Sequence, residues 1–294
     1  MWRAISFKVI FLILGILACI ALFSYSNAPN LEQSATTGPE NGSLVIVGGG
    51  AMPSTIPEKF IELAGGYDAP IVVIPTAGGR NSYSQDAGGA GRLRSMGATN
   101  VTVIHTNDKN VANSDAFIAP LKKAKGVWFS GGRQWRLVDS YKNTKTEKLI
   151  WEVLDRGGVV GGSSAGASIQ GSYLARGDTK NNQIMMGDHE EGFGYIKNIA
   201  IDQHVLARNR HFDMFNILKK KPELLGVSID EGTALIVKGN TFEVLGKGYA
   251  LIYDGSFWSR EGSSLKDLPQ ENLFYFLREG DQYHLTERKV ITNR

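Results

Sequence analysis

The 294-residue sequence predicts an α/β fold built on a doubly wound, mostly parallel sheet with a C-terminal antiparallel β extension. Three observations predict it. Short, all-apolar, β-branched runs recur along the chain, each too short for a helix. Segments of helical spacing lie between them, as crossovers joining parallel strands require. After Asp230 the runs become closely spaced and separated by glycine, which favours an antiparallel meander.

The strands follow in order. LVIVGGG begins at Leu44, IVVIPTA at Ile71, VTVIHTN at Val101, GVWFSGG at Gly126 and GVVGGSSAGA at Gly158. Each ends in Gly, Thr or Ser, as expected where a strand leaves the carboxyl edge of such a sheet, and functional residues are expected along that edge. Crossover helices are predicted over 56–63, 87–96, 114–124 and 145–154, with Ser114 as an N-terminal cap. The second is weakened by Gly88, Gly89 and Gly91. TALIVKG, TFEVLGKG and YALIYDG then form the meander, and NLFYFLREG with DQYHLTERKV forms a last hairpin around Gly280.

Composition narrows the function classes. Hydrophobic residues are 42% and charged residues 21%, which excludes a disordered, collagen-like or coiled-coil chain. Net charge is +3, and two of the positive charges, Arg3 and Lys8, precede the first apolar run. The remainder carries no basic footprint of a nucleic-acid binder. The single cysteine cannot form an intramolecular disulfide. His189, Glu190, His204 and His211 lack the spacing that sets two ligands on one helix face, so no metal site is expected.

Residues 9–23 are uncharged and follow Arg3 and Lys8, so 1–26 reads as a signal peptide or an N-terminal membrane anchor that meets the secretion machinery and the membrane. Fifteen helical residues span only ~22 Å of a ~30 Å hydrocarbon layer, which favours a cleaved signal, cut before Asn27. Cys19 reads as an inert apolar residue of that signal. Residues 27–42 read as a flexible linker and 43–294 as the folded domain, placed outside the cytoplasm, periplasmic or secreted.

The chemistry concentrates at Gly162-Ser163-Ser164-Ala165-Gly166, a G-x-S-x-G where a strand gives way to a helix. Such an elbow needs small residues on both sides of the serine and lifts the hydroxyl of Ser164 above the sheet. The N–H of Ala165 then points at a developing oxyanion. A serine nucleophile needs a base. His204 stands just past a buried run at Ile199, Ala200 and Ile201, which makes it the best candidate of five histidines. His105 also ends a strand, while His211 and His284 read as surface or packing residues.

Taken together, GGSSAGA, the downstream DQH, and the upstream VGGG and FSGG-x-Q resemble the cyanophycinase and dipeptidase E group of serine peptidases, which share the class I glutamine amidotransferase-like fold. The resemblance covers about Leu44 to Asp230. It implies Ser164 as nucleophile, His204 as general base and Gly132 as the oxyanion donor beside Ala165. It also implies Gln134, Asp202, Gln203, Arg208 and Arg210 as substrate-binding residues. Three positions depart from the pattern: Arg133 stands where cyanophycinases usually carry Asp, Asp213 where a later arginine is usual, and Thr179 and Lys180 where the third triad carboxylate is expected. Asp178, Glu190 or Glu191 could take that place, and Asp202 could also orient the ring.

The resulting expectation is a serine peptidase that hydrolyses aspartyl or β-aspartyl bonds through an acyl-enzyme, with Arg208 and Arg210 clamping an acidic group of the substrate. No metal or organic cofactor is expected, and a homodimer is compatible with the chain. Two other readings fit the residues: an esterase or amidase of the cell envelope, and a catalytically inactive ligand-binding homologue.

Overall fold

The computed structural model describes residues 35–262 and 268–292. The expected signal or anchor lies outside these residues. Among them, no helix is long and apolar enough to cross a membrane.

Five parallel strands form one side of a nine-stranded sheet, with β3 at its edge: β1 (Ser43–Val47), β2 (Ile71–Ile74), β3 (Val101–Val103), β4 (Gly126–Phe129) and β5 (Val159–Ser163). Antiparallel β9 (Thr233–Lys238) and β10 (Thr241–Gly246) continue it past β1, followed by β13 (Gln282–His284) and β14 (Lys289–Ile291). The order is β14-β13-β10-β9-β1-β5-β4-β2-β3, so β1 and β4 flank β5. Both faces of β1 are covered: Leu44 and Ile46 join one apolar cluster, Val45 and Val47 another. That double burial is why these strands are apolar at every position.

A second sheet of five strands was not legible in the sequence. It runs β12 (Tyr275–Leu277), β11 (Ala250–Tyr253), β8 (Leu225–Ile229), β7 (Ile196–Gln203) and β6 (Gly171–Tyr173). One hydrophobic cluster joins the sheets, with Leu44, Val127 and Val160 from the first and Ile199, Ile201 and Val227 from the second. The expected hairpin around Gly280 therefore does not form, because β12 pairs with β11 in one sheet and β13 with β10 in the other. YALIYDG likewise leaves the expected meander to pair with β8.

The crossovers are α1 (Thr55–Ala64), α2 (Ala90–Ser95), α3 (Trp135–Tyr141) and α4 (Lys145–Asp155). The helix expected over 87–96 is shortened because Gly88 and Gly89 take positive φ. That over 114–124 tightens into a 3-10 turn at Ala119–Lys122 around Pro120, with the Ser114 hydroxyl accepting from the N–H of Phe117 as a cap. The described part of the expected linker is not a free tether. Thr36 is fully buried, and Gly38 packs so closely on Gly239 that a Cβ would lie 2.0 Å from its carbonyl oxygen.

Candidate active site

Strand β5 ends at Ser163, and the next residue breaks the strand. Ser164 has φ 58° and ψ −112°, outside both the strand and helix regions, and the short helix α5 (Ala165–Ser168) starts immediately after it. Holding a non-glycine residue there costs on the order of 1–3 kcal/mol, which the surrounding contacts must offset. The glycines of G-x-S-x-G make the turn sterically feasible. A Cβ on Gly162 would lie 2.4 Å from the carbonyl oxygen of Gly166, and one on Gly166 would lie 2.3 Å from that of Phe129. The N–H of Ser164 donates to the Val47 carbonyl at 3.0 Å, tying the elbow to β1.

His204 comes from the other sheet. It stands one residue past β7 with φ 56°, and its N–H donates to the Gly48 carbonyl at 2.9 Å. Its Nε2 lies 2.8 Å from Oγ of Ser164. Its Nδ1 lies 2.6 Å from Oε1 of Glu231, two residues beyond the end of β8. The three side chains form a hydroxyl–imidazole–carboxylate relay in which each role has a partner at hydrogen-bonding distance. Burial disfavours the charged ring and outweighs the Glu231 hydrogen bond, and Arg208 and Arg210 add to it, so the His204 pKa lies below its ordinary value. The ring is thereby kept neutral and able to accept a proton near neutral pH.

VGGG, the end of β1, is the seat of this relay. Gly49 has φ +115°, and a Cβ on it would lie 2.2 Å from Cε1 of His204. Gly50 has φ +65°, and a Cβ there would lie 2.3 Å from Oε2 of Glu231.

On the other side of Ser164 the loop after β4 brings Gly131 against it: a Cβ on Gly131 would be 3.3 Å from that of Ser164. Gly132, with φ +143°, stacks on the Ala77 carbonyl, which also accepts the N–H of Arg133 at 2.8 Å. The N–H groups of Gly132 and Ala165 have no acceptor among the described residues. Ala165 opens its helix, where an intrahelical acceptor is lacking by construction. Free backbone donors of this kind are the groups that an oxyanion hole uses.

Several sequence expectations are corrected by this geometry. Asp178 does not meet His204, because its carboxylate accepts the N–H groups of Lys180 and Asn181 at 2.8 Å each. Glu190 is engaged by Tyr173 and Lys221, and Glu191 by Lys142. Asp202 does not orient the ring either. The strand ends at Gln203 and His204 has turned to positive φ, so the two-residue alternation that would align them is broken. Instead Asp202, fully buried, takes Nε and Nη2 of the equally buried Arg176 at 2.7 and 2.9 Å, and Asp213 takes Nη2 at 2.6 Å.

Of the residues expected to bind substrate, Gln134 and Asp202 are internal ties, the former donating to the Ala175 carbonyl at 2.6 Å. Gln203 and Arg210 are also tucked in: Nη1 of Arg210 reaches the Gln203 carbonyl at 3.3 Å and its side-chain oxygen at 3.4 Å. Burial, then the neighbouring Arg176, lowers the Arg210 pKa. Arg208 is exposed, with its N–H on the His204 carbonyl at 3.0 Å. His105 bonds Thr76 rather than Ser164, while His189 lies between Asp139 and Asp188.

Glu231 is the functional side chain that sequence reasoning missed. Its signal was the one used for the other strands, since LGVSI is an apolar run ending in Asp230 and Glu231. Asp230 itself holds the segment after His204, accepting the N–H groups of Leu206 and Ala207 at 3.0 Å each.

The sequence profile of Peptidase family S51 matches residues 44–245, which span every residue of the relay. The chain belongs to that family. It is a serine-type peptidase of the cyanophycinase and peptidase E group. A cyanophycinase of Synechococcus elongatus is 31% identical over 277 residues, covering 87% of this chain and 84% of the relative. Cyanophycinases of Geminocystis herdmanii and Trichormus variabilis are 31% and 30% identical, covering 82% and 90% of this chain and 93% and 92% of their own lengths. Among solved structures, a peptidase from an acI-B1 Actinobacterium superimposes with a TM-score of 0.63 at 24% identity, over 84% of this chain and 98% of that one, and shares the fold.

Proposed function

We propose that this S51 peptidase hydrolyses aspartyl or β-aspartyl peptide bonds through an acyl-enzyme on Ser164. The observation that carries the reading is the relay itself, with Ser164 Oγ 2.8 Å from Nε2 of His204 and Glu231 2.6 Å from Nδ1. His204 removes the proton of Ser164 as the oxygen attacks the amide carbonyl. The oxyanion is met by the N–H groups of Gly132 and Ala165, each contributing about 3 kcal/mol to the transition state. Glu231 holds the ring in the tautomer with the proton on Nδ1 and stabilises the imidazolium as it forms. His204 then gives its proton to the leaving amine, and water repeats the sequence on the ester to release the acid and restore Ser164.

The acidic substrate is supported by charge. Arg208 follows His204 closely, is exposed, and no carboxylate pairs with it among the described residues. The apolar segment after Arg3 and Lys8 supports an exported enzyme, acting in the periplasm or outside the cell, or held at the membrane by that segment. A fluorophosphonate probe tests the mechanism. The reading requires a stoichiometric Ser164 adduct that Ser164→Ala abolishes together with cleavage of β-aspartyl dipeptides; a folded protein that never labels is the inactive ligand-binding homologue instead. Labelling combined with turnover of simple esters and of no peptide would identify the envelope esterase.

A further inference from the structure

We propose that Arg133 is a second anion-reading residue, so that the preferred substrate carries two acidic groups, one met by Arg133 and one by Arg208. The inference rests on the peptidase reading above and deepens it. Because β1 and β4 flank β5, the groups at their carboxyl ends stand on opposite sides of Ser164. His204, anchored on Gly48, brings the exposed Arg208 to the β1 side, its N–H bonded to the His204 carbonyl. Arg133 stands on the β4 side, one residue from Gly132, and its backbone is fixed by the bond to Ala77.

The head of Arg133 is charged and poorly matched. Its Nη2 donates to the Asp178 carbonyl, its Nε is buried with no acceptor, and no carboxylate among the described residues pairs with it. The Asp178 carboxylate does not pair with it, since that group accepts the N–H groups of Lys180 and Asn181. Arg176 shows the contrast, because two carboxylates of the same chain enclose it. A guanidinium held by one neutral carbonyl attracts a carboxylate, to which it donates charge-assisted hydrogen bonds, and repels a basic side chain. Peptides with an acid on both sides of the scissile bond satisfy both walls. Arginine-bearing ones do not.

The test uses the full-length protein and a set of dipeptides with the acid or its amide at each side of the bond, plus arginine in place of the acid. The doubly acidic peptide is expected to exceed each singly acidic one in kcat/KM by about tenfold, the factor one charge-assisted hydrogen bond supplies. Arg133→Gln brings the acid-over-amide ratio to about one on one side only, through KM, whereas Arg133→Lys keeps part of it. Reaction of Ser164 with fluorophosphonate, which has no peptide leaving group, reports folding of each variant. Should Arg133→Gln fail that check, the unaltered protein decides: added salt must narrow the ratio on both sides. Ratios unmoved by Arg133→Gln, a salt-insensitive ratio, or a preference for arginine over acid overturns this inference alone. Failure to cleave any peptide overturns the peptidase substrate reading and this one with it.

Discussion

Gly49 and His204 occupy one space: the Cβ that Gly49 lacks would sit 2.2 Å from Cε1 of the imidazole. The glycine run after the first strand thus does more than turn the chain. It lets the backbone of one sheet touch the ring delivered by the other.

Gly49→Ala is accordingly expected to displace the ring. With φ +115° the substitution also strains the backbone by about 1–3 kcal/mol. A ring moved by an ångström costs roughly a hundredfold in rate. Steady-state kinetics with a melting curve checks this: kcat should fall far more than the loss of stability explains, and an active Gly49→Ala enzyme would show that the ring has room.

Replacing Glu231 by Gln leaves the shape and removes the charge that fixes the tautomer of His204. A loss of roughly a thousandfold to ten-thousandfold in kcat is expected. Glu190→Gln and Glu191→Gln, whose carboxylates meet Lys221, Tyr173 and Lys142, should stay within about twofold. The ranking of the three variants in one assay decides which carboxylate completes the relay.

The pH profile carries a sign. Because burial, aided by Arg208 and Arg210, holds the His204 pKa below 6.5, the acid limb of kcat/KM should have its midpoint below 6.5. Arg208→Gln removes a repelling cation, eases protonation and moves that midpoint upward. The same depression makes the ring a source of stability that is full above the unfolded value and declines as pH falls from 6.5 toward the folded one. A midpoint above 6.5, or a downward move in Arg208→Gln, contradicts the arrangement.

Arg176 is fully buried and binds Asp213 and Asp202, the latter in the strand end that delivers His204. Arg176→Met should cost about 3–5 kcal/mol, because it leaves the buried Asp202 charge without its ion-pair partner, with only the Gln203 N–H still donating to it. The double variant Arg176→Met, Asp202→Asn should recover part of that loss. Denaturant titration of the two proteins measures both, and equal stabilities would mean that the pair is not coupled.

The local parts of this site were legible in the residues. Apolar β-branched runs mark strands buried on both faces, and GGSSAGA marks an elbow, because steric exclusion around Ser164 admits only small neighbours and leaves that requirement in the local sequence. His204 followed from its place at the end of an apolar run. Asp178, Glu190 and Glu191 stand near the place that the family pattern gives the acid, and Asp202 is aligned with His204 only along an unbroken strand. The chain turns at His204, and hydrogen-bond partners elsewhere claim all four carboxylates.

What the sequence by itself determined was the class of fold, the serine and its base, since these rest on periodicity and on short-range sterics. The tertiary structure alone decided that the C-terminal strands divide between two sheets, that Glu231 rather than a nearer acid completes the relay, and that Asp202 and Gln134 are structural ties. Those outcomes depend on which segments pack together across the inter-sheet core. Packing of that kind is a non-local sum over many weak contacts, and no spacing within a single segment records it.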